Sequence, residues 1–595
     1  MEKKRYDYES RWNRYAYPEN GARFASEADL LEEFSATPLN TYATAAGIPL
    51  CFTDTPRNSG RGKEDGSRQG VHRAVVNDRT ENTLIYGETG SMKTRAVIRP
   101  LIFSLACRRE SMVVTDPKGE LATDPKVRGL LDEQGYRVAF LDFRSFAGDG
   151  YNILEYAYNL YRRGQKDKAV SNLASIVHAL TDKDGGTKNE SFWKSTSEQL
   201  LIPILHAFID AYACRENGAD YVNILSLAAS MTEKELKDMQ TVFDTLSAES
   251  NTSTVMFRNA ICGTEGTTHN ITVSAAAYLQ PFLVQPSLAR MLSRTTFDAD
   301  AMYDKPTAVF LVVPDETSAY DEISGLLIDN FYSRLIERFT REFQNRKRPK
   351  CRVNFVCDEF CNLRINDMGP KISACRSREI RFYLVCQSMK QLEKTYPDSA
   401  IIEGNCKNVL FLGSSDPDLI DHICSLCGTT SVTTGGAPET LVTPPMLRGL
   451  GKFREFKEAL YIRDRLVYFA RLADCDTYDL VKKYTSRSPA AIPQKVEGEI
   501  SYVKPSDLKH KILTDKLPKV FTPLEKRPEW FCEPLFSLRF GPDSGTDAKT
   551  VVHPKYGLGV ILDVEDKPSV VHVRFADVGV KELSREWIER NCKIN

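Results

Sequence analysis

Seven short apolar runs recur along the chain: TLIY (Thr83–Tyr86), MVVT (Met112–Thr115), VAFLDF (Val138–Phe143), AVFLVV (Ala308–Val313), VNFVC (Val353–Cys357), FYLVC (Phe382–Cys386) and NVLFLG (Asn408–Gly413). Unbroken runs of this length suit strands buried on both faces, and helical patterns lie between many of them. Together they predict an α/β fold around a mostly parallel sheet. Between about Tyr156 and Asn270 the strand-like runs stop. Stretches such as FWKSTSEQLLIPILHAFIDAYA carry helical spacing there, which predicts an all-helical insertion over 156–269.

The ends read differently. Residues 1–80 are polar, with a Gly- and charge-rich stretch at Asn58–Gly70, and suggest an N-terminal cytosolic arm. Pro and Lys punctuate 485–545, which reads as a linker. Over 546–595 alternation returns with Gly turns, in VVHPKYGLGVILDV and VVHVRF, and predicts a small SH3-like β-barrel. A chain of 595 residues is too long for one core, so several domains are expected.

Composition narrows the function classes. Lys plus Arg number 79 against 80 Asp plus Glu, so no global positive field attracts nucleic acid and a local surface would have to do so. Fifteen scattered Cys without a signal peptide fit reduced thiols in the cytoplasm. The most apolar stretch, Leu200–Cys214, is broken by His206 and Asp210 and falls short of a membrane span of about 20 residues.

Chemistry concentrates at the ends of the predicted strands. GETGSMKT comprises Gly87, Glu88, Thr89, Gly90, Ser91, Met92, Lys93 and Thr94, and it joins the TLIY strand to an apparent helix. That context is what a phosphate-binding P-loop requires. Backbone N–H groups would surround the phosphates of ATP, Lys93 would neutralise the β and γ oxygens, and Thr94 would hold Mg2+. Met92 stands where the pattern has Gly, which crowds the loop if the backbone there needs a glycine-only conformation; the alternative is a Gly-rich turn without nucleotide. VNFVC ends in Asp358 and Glu359, placing Asp358 as a metal-side carboxylate and Glu359 as the base that polarises water, or else as an acidic pair capping a helix.

Farther on, Arg376 and Arg378 precede a strand that ends at Gln387. An amide there senses the γ-phosphate or orients water, and an exposed Arg completes a neighbour's site in a ring or is simply a solvated cation. TDPKGEL puts Asp116 and Lys118 at the same sheet edge, or is plain Asp-Pro turn chemistry. Cys424 and Cys427 form a CxxC without a second pair at zinc spacing and are expected to be buried thiols. The cluster Arg346, Lys347, Arg348, Lys350 reads as a solvated loop more than a phosphate contact.

In this order the pieces resemble the TraG/TraD-like coupling ATPases of type IV secretion and conjugation, over roughly Asn82 to Tyr484. VVTDPKGEL, SFWKSTSEQLL around Trp193, VCDEFCNL, RSREIRFYLVCQSMKQL, Asp142 with Asn152, and LVTPPML carry the resemblance. It implies a RecA-like P-loop NTPase core in two parts, 81–155 and 270–484, interrupted by the helical insertion. It also implies a homo-hexameric ring that moves single-stranded DNA with its relaxase toward a type IV secretion channel. By motif position Lys93, Thr94, Asp358, Glu359, Gln387 and Arg376 inherit the nucleotide roles. The family's N-terminal membrane helices have no counterpart in this reading, so recruitment to the inner face of the cell membrane by a separate anchor protein is expected. An adaptor that recruits the relaxosome or protein substrates, gated by nucleotide with little turnover, is the alternative. The tail HPKYGLGVILDVEDKPSVVHVRFADVGVKEL resembles the Tudor/SH3-like module of UvrD-like helicases, which implies docking to protein or nucleic acid, or a stabilising cap.

Overall fold

The computed structural model describes residues 20–38, 44–52, 73–182, 188–215, 217–247, 251–343, 348–431, 439–464, 466–485, 499–514 and 517–522, and the backbone of short strands between 550 and 594. Seven parallel strands lie side by side in the order Asn408–Phe411, Thr83–Tyr86, Ile380–Cys386, Val353–Cys357, Ser111–Thr115, Thr307–Val312, Arg137–Asp142. Each apolar run of the sequence became one of them. Apart from Arg137, every residue in these strands is buried. That two-sided burial is why the runs do not alternate.

The sheet continues past Asn408–Phe411 through the antiparallel hairpin Phe456–Arg463/Leu466–Ala473. Strands Pro49–Phe52, Arg73–Val76 and Ser35–Pro38 follow, with Arg23–Phe24 also paired to the hairpin. Residues read as an arm thus form one edge of the sheet, where Ala74, Val75 and Val76 are fully buried. Arg463 fastens this edge through an ion pair to the buried Glu81 at 3.0 Å.

The chain leaves the sheet after Arg137–Asp142 and returns on the adjacent strand Thr307–Val312. Helices Glu155–Arg162, Lys166–Thr181, Lys188–Tyr212, Ile224–Ala229, Glu233–Thr245, Thr252–Ile261, Glu265–Val284 and Pro286–Met291 occupy that crossover. Asp142 shapes the exit turn by accepting the Arg144 amide at 2.8 Å. Buried Asn152 donates to the carbonyls of Ala219 (2.9 Å) and Val222 (3.0 Å) and accepts the Leu154 amide. Asp142 therefore shapes the turn by which the chain leaves the sheet, and Asn152 ties the segment after it to the insertion. Arg334 adds a second fastening, reaching Asp300 and Glu155 from the helix Asp321–Glu342.

Part of the predicted linker packs on the insertion. Helix Pro505–Leu513 begins on Pro505, and Val503, Leu508, Ile512, Leu517 and Val520 are buried. Phe521 donates its amide to buried Asp210 at 2.6 Å. Beyond it, strands Thr550–His553, Gly557–Leu562, Val570–Phe575, Gly579–Ser584 and Lys593–Ile594 form a separate five-stranded antiparallel sheet. Among the described residues no helix is long and apolar enough to cross a membrane.

Candidate nucleotide site

Four neighbouring parallel strands end at one edge of the sheet, which brings together segments far apart in sequence. Tyr86 pairs with Cys386, so Gly87 and Gln387 leave the sheet side by side. On the far side of the same strand, Cys357 pairs with Leu384, which sets Asp358 and Glu359 beside Gln387. Asp116 follows the next strand, and the Thr115 hydroxyl donates to the Asp358 carbonyl at 2.8 Å, tying the two strand ends.

The loop is built for a small cradle. A Cβ on Gly87 would lie 2.6 Å from Ser91 Oγ, and Gly90 has φ +82°. Buried Ser91 Oγ has no partner, which leaves a hydroxyl available to a phosphate. Met92 stands at φ 68°, ψ 22°, the left-handed conformation, so this position does carry the strain that glycine avoids. Its half-buried side chain packs onto the core beneath the loop. From Lys93 to Ile98 the chain winds as a π-helix before the α-helix Arg99–Cys107. Pro100 explains this: it lacks an N–H and its ring clashes with the carbonyl four residues back, so the Arg99 amide bonds Thr94 O instead.

Buried Lys93 donates from Nζ to Gly87 O at 3.1 Å and to Glu359 Oε1 at 3.2 Å. Gln387 donates to the other Glu359 oxygen at 2.7 Å, and its Oε1 accepts from Thr89 at 3.2 Å. Glu359 itself has φ 52°, a strained backbone at the centre of the constellation. Burial, then the neighbouring Glu359 charge, pushes Asp358 up to about 7. Burial pushes Asp116 up to about 6 although the Leu121 and Ala122 amides each donate to it at 2.8 Å. Asp116 is therefore a turn residue and a wall of the site at once. Met92, Lys93, Thr94, Asp358, Glu359 and Gln387 line a cleft of about 320 Å³, a size suited to a polyphosphate. Buried Asp358, raised by its surroundings, and an orphaned loop hydroxyl beside Lys93 fit a magnesium–nucleotide complex.

Arg376 is not in this cleft. It lies exposed in the turn Cys375–Arg378, at the start of the strand whose end carries Gln387. Seven strand residues separate the two, about 23 Å. Arg79, Arg348 and Arg352 line a recess with it on that opposite edge. Arg348 and Lys350 are exposed, and Arg346 and Lys347 lie outside the described residues. Cys424 and Cys427 are buried and burial raises both thiols. Among the described residues, the one group with metal-ligand spacing is Asp474, Cys475 and Asp476. Its carboxylates are spent on Lys126 and Arg95, and hydrogen bonds from Lys126 and then Arg95 hold Asp476 at about 2. Lys452 was not foreseen from the sequence: it lines the cleft and donates to Gly90 O at 3.0 Å, with no motif spacing to mark it.

A phosphate loop between parallel strands, with an acidic pair and an amide two and one strands away, defines a RecA-like P-loop NTPase fold. The profile of the family described as "Type IV secretory system Conjugative DNA transfer" matches residues 55–439. The chain belongs to that family. Conjugal transfer protein TraG of Agrobacterium fabrum is 21% identical over 368 residues, covering 59% of this chain and 51% of that protein. TraG of Rhizobium radiobacter is 22% identical over 358 residues, covering 59% and 52%. The chain thus matches about half the length of these relatives. Plasmid coupling protein TrwB, solved with the ATP analogue ADPNP, superposes with TM-score 0.53 at 16% identity over 82% of this chain and 98% of that one. TrwB with ADP and Mg2+ gives 0.51 at 15% identity over the same shares.

Proposed function

We propose that the chain is an ATP-driven coupling protein that feeds relaxase-bound single-stranded DNA to a type IV secretion channel. One observation carries the reading: Lys93, Glu359 and Gln387, from three separate segments, are hydrogen-bonded together over the phosphate cleft. ATP entering the cleft takes Lys93 from Glu359, because a triphosphate offers the ammonium more charge than one carboxylate does. Glu359, released but still held by Gln387, then polarises the attacking water. Bound Mg2+ supplies charge neutralisation at the β and γ phosphates, and Thr94 and Asp358 are the residues that would hold it. Arg376, on the far edge, serves a neighbouring subunit's nucleotide in a homo-hexamer. Family membership supports DNA, a relaxosome and a secretion channel or separate membrane anchor as partners.

ATP hydrolysis by the full chain, with and without single-stranded DNA, tests this. DNA-stimulated turnover is expected, lost in Lys93→Ala, while Glu359→Gln retains ATP and turns over at least about 100-fold more slowly. Nucleotide binding without turnover under any condition would overturn the motor in favour of a nucleotide-gated adaptor.

A further inference from the structure

The hairpin Phe456–Arg463/Leu466–Ala473 lies beyond the family match, which ends at 439, yet the turn that leads into it reaches the phosphate loop. Residues 451–458 fold back on themselves: Glu458 N donates to Gly451 O at 3.1 Å, Phe453 N to Phe456 O at 3.0 Å, and Glu458 Oε2 accepts Gly451 N at 2.9 Å. The Phe453 and Phe456 rings stack with centroids 4.5 Å apart, and the Arg471 guanidinium lies 5.1 Å from the Phe456 ring. A Cβ on Gly451 would come within 2.4 Å of the exposed Phe453 ring, which would have to swing aside to admit it. Beneath it, buried Lys457 donates to the carbonyls of Leu450 (3.2 Å) and Gly451 (3.3 Å). Burial, aided by the Lys452 charge, lowers the Lys457 ammonium below its usual range. An ammonium buried to brace two carbonyls is a costly arrangement, and its product is a fixed position for the residue between them and the hairpin, Lys452.

Lys452 is exposed, and its Nζ rests on Gly90 O inside the cleft. Among the described residues no carboxylate forms an ion pair with it. A neutral carbonyl satisfies one of its three N–H donors. We infer that Lys452 is a second phosphate-binding cation of this site, delivered across the loop from the hairpin and positioned by Lys457, for a nucleoside di- or triphosphate. The inference rests on the nucleotide reading above. A phosphate oxygen replaces the Gly90 carbonyl as partner when nucleotide binds, and nucleotide occupancy is thereby sensed by the antiparallel edge of the sheet as well as by the acidic turn.

Equilibrium binding of fluorescent ADP and ATP to the full chain tests it, with Lys452→Met, Lys452→Arg, Lys457→Met, the Lys452→Met/Lys457→Met pair and Lys93→Ala. Lys452→Met is expected to weaken both nucleotides about tenfold or more, as loss of one charged hydrogen bond does. Lys452→Arg restores most of that affinity, and the melting temperature without nucleotide does not move. Lys457→Met weakens binding on its own but adds nothing in the Lys452→Met background, an outcome a merely structural role would not give. Lys452→Met binding within twofold of wild type, beside a Lys93→Ala that has lost binding, overturns this inference alone. Wild-type protein that binds neither nucleotide overturns it together with the nucleotide reading.

Discussion

Replacing Met92 with Gly, Asn or Val separates what the phosphate loop asks of its backbone from what it asks of a side chain. At φ 68°, ψ 22° an L residue bears about 1–2 kcal/mol of strain. Met92→Gly releases it, but returns roughly 0.5–1 kcal/mol of entropy to the unfolded chain. It also removes a half-buried thioether from the core beneath the loop, on the order of 1 kcal/mol. The terms cancel to within about 1 kcal/mol. Asn, which tolerates the left-handed region, should fall in the same range. Val should not: a β-branched residue there adds about 1–2 kcal/mol of strain to the loss of packing. Thermal unfolding of the variants without nucleotide is expected to rank Gly and Asn level with wild type and Val clearly below. ATP affinity of Met92→Gly should stay within about threefold of wild type, because the Met side chain, although it borders the cleft, is half-buried and packed against the core. Val as stable as Gly would refute the backbone account. A hundredfold gain in affinity on Met92→Gly would show that the side chain obstructs the phosphates.

Other variants probe the remaining elements. Arg376→Ala should bind ATP like wild type, since it stands on the opposite edge, but lose turnover, and mixing it with Lys93→Ala subunits should restore part of that turnover; no recovery on mixing would count against action between subunits. Burial lowers His206 from 6.5 to about 4, so the unfolded chain takes up the proton first. The stability His206 contributes is complete above pH 6.5 and is lost as pH falls toward 4. Between pH 7 and 5 that amounts to about 2 kcal/mol, which His206→Phe should abolish in unfolding measurements at the two pH values. Asn152→Ala leaves the Ala219 and Val222 carbonyls unsatisfied and should cost about 2–3 kcal/mol, read as faster hydrogen exchange in 217–223.

Legibility followed the number of residues that had to agree. Strand Val353–Cys357 was readable because five consecutive buried side chains leave an unbroken apolar run, and its acidic end was readable because the pair sits directly on it. Arg73–Val76 is as deeply buried at Ala74, Val75 and Val76, but four residues after a charged, Gly-rich stretch carry too little pattern to outweigh it. Helix Pro505–Leu513 was lost for a similar reason: its apolar contacts, Leu508 and Ile512, recur once in a segment dominated by Pro and Lys. Lys452 had no local signal at all, since its partner, Gly90, lies 362 positions away.

Arg376 and Gln387 show where sequence proximity misleads and where it informs. Eleven positions separate them, and as neighbours in one motif they invite assignment to one site. The strand Ile380–Cys386 between them forbids that, because it carries its two ends to opposite edges of the sheet, about 23 Å apart. Gln387 is committed to this subunit's own cleft by its bond to Glu359. If Arg376 also serves a nucleotide, it must be one held by another copy, so a single strand would connect two sites. Fully buried and flanked by parallel neighbours on both sides, that strand is close-packed along its length, as such a link would require. In a ring of identical chains this construction would let the state of each cleft bear directly on the next.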